Sequence, residues 1–127
     1  MLVFDALIYN EDRHFGNFGL LRDNKTGAII APAPVFDNGV SLFNYAMPED
    51  YKDLGEYAKT RFPAYGNTTF EGICLTYMTA RQIEKLRKMV NFSFERHPKL
   101  SLPEEHLVAI ESRLKERASQ LIGLSKE

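Results

Sequence analysis

The chain has 127 residues, 44% hydrophobic and 26% charged, with a formal net charge of −1. That length suits one domain with a real core, and the ordinary globular composition argues against disorder. The near-neutral balance supplies no basic field of the kind that drives binding to nucleic acid, so no direct nucleic-acid partner is expected.

In chain order, Met1 to Asn10 carries apolar residues at Leu2, Val3, Ala6, Leu7 and Ile8, a helical stripe with no capping sequence ahead of it. A helix that starts so abruptly leads us to expect that something upstream is missing. Asn10 tolerates the left-handed conformation that commonly ends helices, which would deliver Glu11–Asn17 as a loop. Phe18–Asp23 and Ala28–Phe36 read as two strands joined by a tight turn at Asn24-Lys25-Thr26-Gly27. Pro32 and Pro34 lie two apart, so their missing N–H groups fall on one side of the second strand, and that edge must be free. Val40 to Tyr65 is irregular, punctuated by Pro48, Gly55, Pro63 and then Gly66, with a short helix at Glu49–Lys59.

From Thr68 the pattern is helical. Thr68-x-x-Glu71, Thr79-x-x-Gln82 and Ser101-x-x-Glu104 each fit a capping box ahead of an apolar stripe. Helices are predicted over Thr69–Met78, with Phe70, Ile73, Cys74 and Tyr77 inward, and over Ala80–Asn91, burying Ile83, Leu86 and Val90. Phe92, Phe94 and Leu100 are expected to pack in the connection broken at Pro98. A last helix over Leu102–Leu124 buries Leu107, Ile110, Leu114, Ala118 and Leu121. The predicted fold is mainly α with one small β-hairpin, an α+β chain. It divides into residues 1–45 (loop, hairpin and site), 46–67 (loop) and 68–127 (helical subdomain).

A single cysteine, Cys74, excludes an internal disulfide and fits a reducing compartment. Its apolar neighbours predict a buried, inert thiol. No apolar run reaches membrane-spanning length and no signal-peptide pattern opens the chain, so a cytoplasmic location with no membrane partner is expected.

The chemistry concentrates in Asn10-Glu11-Asp12-Arg13-His14-Phe15-Gly16-Asn17 and the later Asp37-Asn38-Gly39. An Asp, an Asn five positions on, and a separate Asp-x-Gly are the residue types a phosphoryl-transfer site needs, in that order. Such a transition state spreads charge over its oxygens, so the protein mostly positions groups and neutralises charge. Asn17 and Asp37 together offer one amide oxygen and one carboxylate, which leaves room for phosphates and water around Mg2+. Asp12 then faces the substrate hydroxyl as base or orienting group. Arg13 is a candidate to pair with Asp12, Asp37 or a phosphate, and His14 to hold the loop by hydrogen bonds. The hairpin would return Asp37 to the side of Asn17. Residues 1–50 carry seven acids against three bases; that suits a cation, but on its own random scatter on a small protein is the better reading.

Asn10-x-Asp12-Arg13-His14-x-x-Asn17, followed by Ala31-Pro32-Ala33-Pro34-Val35-Phe36-Asp37, resembles the HipA-like serine/threonine protein kinases, bacterial enzymes often found as toxins in toxin–antitoxin pairs. The resemblance covers about Leu2–Phe43. It implies Asp12 as the catalytic Asp, Asn17 and Asp37 as ligands of Mg2+ or Mn2+ and contacts of ATP, and Arg13 and His14 as the remainder of the catalytic set. It also implies a protein substrate and a DNA-binding antitoxin protein as partners. A kinase further needs a phosphate-covering loop and a strand lysine upstream of the catalytic loop. Only eleven residues precede Asp12, none of them lysine. The expectation is therefore a C-terminal kinase lobe without its N-terminal lobe, inactive alone. Asp37-Asn38-Gly39 lacks the Phe of D-F-G. Two other readings compete: a kinase-derived module kept for protein interaction, and a fragment of a phosphoinositide-type lipid kinase, which shares D-R-H-x-x-N but would want a basic cluster beside the motif.

Overall fold

The computed structural model describes residues 1–64 and 67–125. The expectations at Tyr65 and Gly66 fall outside the described residues. Helix α1 (Leu2–Ile8) is followed by a 3₁₀ turn at Phe15–Asn17 and an antiparallel hairpin of β1 (Leu20–Arg22) and β2 (Ile29–Pro32). A second 3₁₀ turn (Asp50–Lys52) leads into α2 (Leu54–Ala58), and then come α3 (Phe70–Tyr77), α4 (Ala80–Met89) and α5 (Glu104–Leu124). This is the mainly helical chain with one small hairpin that the sequence predicts. No described helix is long and apolar enough to cross a membrane.

Helix α5 is the spine. At 21 residues it runs about 31 Å, and its stripe of Leu107, Ile110, Leu114, Ala118 and Leu121 is buried throughout. Helices α1, α2, α3 and α4 all pack on it, and α1 also packs closely on α3. The buried faces of α1 (Val3, Ala6, Leu7, Ile8), α3 (Phe70, Cys74) and α4 (Leu86) complete the core with Phe43 and Leu54. Two charged groups also lie in this spine. Glu111 accepts from the Phe94 backbone N–H at 2.6 Å and pairs with Arg96. Arg117 donates from Nε to the Ala6 carbonyl at 3.0 Å and pairs with Glu71. Burial opposes charge on Glu71, yet the hydrogen bond and charge of Arg117 outweigh it and hold the carboxyl below its usual range.

Local differences from the sequence reading have physical causes. The residue that ends α1 in the left-handed region is Tyr9 (φ 53°), not Asn10. Tyr9 is buried, its ring packed on Phe43 and Phe70 with the Arg117 guanidinium over it, and its hydroxyl accepts from Arg113 at 2.6 Å. Tertiary packing thus holds a conformation that residue preference would assign to asparagine. The α3 cap is Thr69, whose Oγ1 accepts from Gly72 N, rather than Thr68 with Glu71, because Glu71 is engaged by Arg117. The Thr79–Gln82 box forms as expected. The Ser101–Glu104 box does not: Ser101 bonds the His97 backbone instead, and Glu104 pairs with Arg96. Tyr77 and Leu100 are exposed rather than packed, and Ile83 and Val90 are half-buried. Phe92 and Phe94 do pack, edge to face, at 4.8 Å.

The hairpin is shorter than predicted and irregular between Leu21 and Arg22. Among the described residues it packs closely on no helix, so little beyond its own pairing lengthens the strands. The turn closes on the Asp23 carboxylate, which accepts from Lys25 N, Thr26 N and Thr26 Oγ1, with Gly27 supplying φ 71°. Between the prolines, Ala33 N donates to Gly19 O at 2.9 Å, so the proline nitrogens face the free edge.

Candidate functional site

The loop after α1 is assembled around a buried ion pair. Asp5, 3% exposed on the inner face of α1, meets Arg13, 2% exposed, at 3.0 Å. Charges so deep require partners for every hydrogen-bonding atom, and the arrangement meets that demand. Arg13 Nε donates to both Asp5 oxygens at 3.2 and 3.1 Å. Asn10, fully buried, donates to Asp5 Oδ1 at 3.0 Å and accepts from Asp12 N at 3.1 Å, which sets the backbone at the start of the loop.

The rest of the Arg13 fork reaches across the hairpin. Nη1 donates to the Asn17 carbonyl at 2.5 Å and to the Phe36 carbonyl at 2.6 Å, and Nη2 to the Asn38 side-chain oxygen. The end of the loop and the two residues flanking Asp37 therefore share one guanidinium. Further bonds, Glu11 N to Val40 O at 3.0 Å and Leu42 N to Ile8 O at 2.8 Å, run the segment after Asp37 back along the end of α1. The pairing of Arg13 with Asp12 or Asp37 is thus corrected: its carboxylate is Asp5. Buried and with its donors engaged, Arg13 joins the loop to the segment around Asp37.

Asp12 and Asn17 are in contact. Asn17 Nδ2 donates to the Asp12 carbonyl at 2.8 Å and approaches Asp12 Oδ2 at 3.3 Å. Both partners are acceptors, so the orientation of the amide is fixed chemically and its Oδ1 faces the other way. Asp12 is half-exposed. His14 is exposed; its Nδ1 accepts from Gly16 N at 3.0 Å, which leaves the proton on Nε2, 3.7 Å from Asp12 Oδ1. The loop-holding role expected of His14 is this bond to Gly16. A Cβ on Gly16 would lie 2.8 Å from His14 Cε1, so the close turn favours glycine.

Asp37 is exposed, and among the described residues its carboxylate makes no hydrogen bond or ion pair. Its φ of 52° is a conformation that few side chains adopt and that Asp and Asn tolerate best. It is held there by the anchored carbonyl of Phe36 on one side and Asn38 on the other. Among the described residues no group of three or more His, Cys, Asp or Glu side chains is arranged to hold a metal ion. Asn17, 6% exposed, and Asp37, exposed, are linked among the described residues only through Arg13, which binds the Asn17 carbonyl and the two residues flanking Asp37.

Compared with protein-family models, curated proteins and solved structures, the chain matches none.

Sequence reasoning missed Asp5 as part of the site, and it gave Asn10 and Asn38, which stand in the motif, no role of their own there. Asp5 left a signal: a lone carboxylate inside an otherwise apolar helical stripe must find a buried cation. The motif contains Asn10 and Asn38, but their roles depend on where Arg13 ends.

Proposed function

We propose that this chain is the catalytic and metal-binding portion of an ATP-dependent, HipA-like serine/threonine protein kinase. The observation that carries the reading is the buried Arg13, which binds the Asn17 and Phe36 carbonyls through one nitrogen and so ties the Asp12–Asn17 loop to the Asp37 segment. A site that needs both segments at one cation requires such a tie.

Asn17 Oδ1 and the Asp37 carboxylate are the oxygens that would hold Mg2+ or Mn2+, and the ion would neutralise charge on the ATP phosphates. Asp12, held by Asn17 yet half-open to solvent, accepts or orients the proton of the substrate hydroxyl. His14 Nε2, 3.7 Å from Asp12 Oδ1, stands beside this carboxylate. Asp5 and Asn10 keep Arg13 and the loop backbone in place. Among the described residues no lysine bonds Asp12, Asn17 or Asp37, and this reading has the nucleotide phosphates met by other polypeptide.

The test uses the product of the complete reading frame and labelled ATP. Asp12→Asn should lower transfer to protein about 10²-fold or more while leaving Mn2+ binding intact, whereas Asp37→Ala should abolish both. An Asp12→Asn enzyme with near-wild-type transfer would end the proposal.

A further inference from the structure

A second feature of the fold stands apart from this site. Helices α1 and α4 lie on the same spine, α1 packed on α3 and α5 and α4 on α5, with no comparable packing between them. The space between is a trench of about 570 Å³. Its floor is Leu7, Leu86 and Leu114, all buried side chains of the core. On the α1 wall Phe4 is 43% exposed, which is far from where a phenylalanine rests without a partner.

The rim on the other wall is cationic. Lys85 and Lys88, three apart on α4, line the trench, and Arg81 and Arg87 extend the charge along the same helix against the single acid Glu84. Among the described residues none of these four cations has a carboxylate partner.

We infer that the trench between α1 and α4 is a docking site for an amphipathic α-helix of a partner protein, apolar on one face and acidic along the flank that meets Lys85 and Lys88. Four physical considerations select that occupant. The α4 wall is a helix whose interior backbone groups bond one another, so an extended strand laid along it would bring N–H and C=O groups into an apolar trench with few partners there. A helix satisfies its own. Helices seat beside one another at interaxial distances of about 8–10 Å, and a trench flanked by two helices on a third offers that seat. A second copy of this chain is disfavoured by charge: a two-fold interface would set the basic α4 rim against itself. The trench is also concave, so its floor cannot reach a flat bilayer as the exposed face of an interfacial helix would.

The inference is independent of the phosphoryl-transfer reading, and its test reads no activity. The probe is a fluorescein-labelled helical peptide about four turns long, with leucines on one face and glutamates on the flanks, beside a twin carrying lysines in place of the glutamates. Anisotropy should show the acidic peptide binding about tenfold or more tighter than the basic one. The double variant Lys85→Glu/Lys88→Glu should reverse that preference. Phe4→Asp should weaken the acidic peptide about tenfold, and because both variants alter exposed side chains, circular dichroism should be unchanged. Should Phe4→Asp fail to fold, the charge-reversal pair alone decides.

Equal binding of the two peptides, or no saturation by about 1 mM, would overturn the inference. So would a dimer in sedimentation equilibrium that Phe4→Asp dissolves, or anionic phospholipid vesicles that bind the chain while the acidic peptide does not.

Discussion

Replacing Arg13 by lysine tests the architecture of the site most sharply. Lysine keeps the charge and reaches Asp5, but it offers three donors at one point instead of a planar fork. The Asn17 and Phe36 carbonyls, bonded to Nη1 at 2.5 and 2.6 Å, would lose their donor, and so would Asn38. An acceptor left unpaired in the interior costs about 1–3 kcal/mol. Asn17 is buried and Phe36 partly open to water, so the loss should be about 2–4 kcal/mol. With a urea m-value of about 2 kcal/mol/M, the unfolding midpoint falls by about 1–2 M at unchanged m. The same change frees the Asp37 segment from the loop, so Mn2+ affinity should drop about tenfold or more. Circular dichroism in urea and a Mn2+ titration read both quantities. A lysine variant that unfolds at the wild-type midpoint and binds Mn2+ as tightly would refute the clamp.

Asp37→Gly should separate the ligand from the fold: glycine accepts φ 52° without strain, so stability should hold or rise by about 1 kcal/mol while Mn2+ binding is lost. Calorimetry and a metal titration on one sample decide it. Leu114→Ala, at the centre of the spine and 2% exposed, should cost about 2–5 kcal/mol in chemical denaturation. Glu111 bears on acid stability. The hydrogen bond from Arg96, joined by that of the Phe94 amide, holds its carboxyl below the usual range. Its contribution is therefore fully present above the unfolded value of about 4.3 and is lost as pH falls through the lower folded value. Glu111→Gln should flatten the fall of melting temperature below about pH 4.5, and an unchanged acid limb would count against that pairing. Cys74, which burial pushes up to about 11, should react with a neutral-pH thiol reagent only as fast as the chain unfolds.

What could be read from the sequence was what depends on periodicity and local chemistry. The stripe of α5 and the Thr79–Gln82 box required only neighbours within a few residues, and they stand where the pattern puts them. The turn at Asn24–Gly27 was likewise visible from its residue types. The α1 ending was misread because Tyr9 is fixed by Phe43, Phe70 and Arg117, partners 34 to 108 positions away in the chain. The same holds for the cap of α3, where the distant Arg117 takes the glutamate that the pattern assigned to a box. At the site, the motif marks Asp12 and Asn17, which are in contact, and Asp37, whose neighbours share Arg13 with that loop. It could not show that Arg13 turns inward to Asp5, because Asp5 precedes the motif on a helix whose other residues point to plain core.

The central claim is that the ends of the hairpin present Asn17 and Asp37 to one cation. Mn2+ added at substoichiometric levels to the isotope-labelled chain reports this directly, since paramagnetic broadening marks the amides nearest the ion. Signals from His14 to Asn17 and from Asp37 to Gly39 should broaden together and first, and both sets should survive unbroadened in Asp37→Gly. Broadening of one segment without the other, or of neither while acidic surface positions such as Glu104 and Glu105 respond, would contradict it.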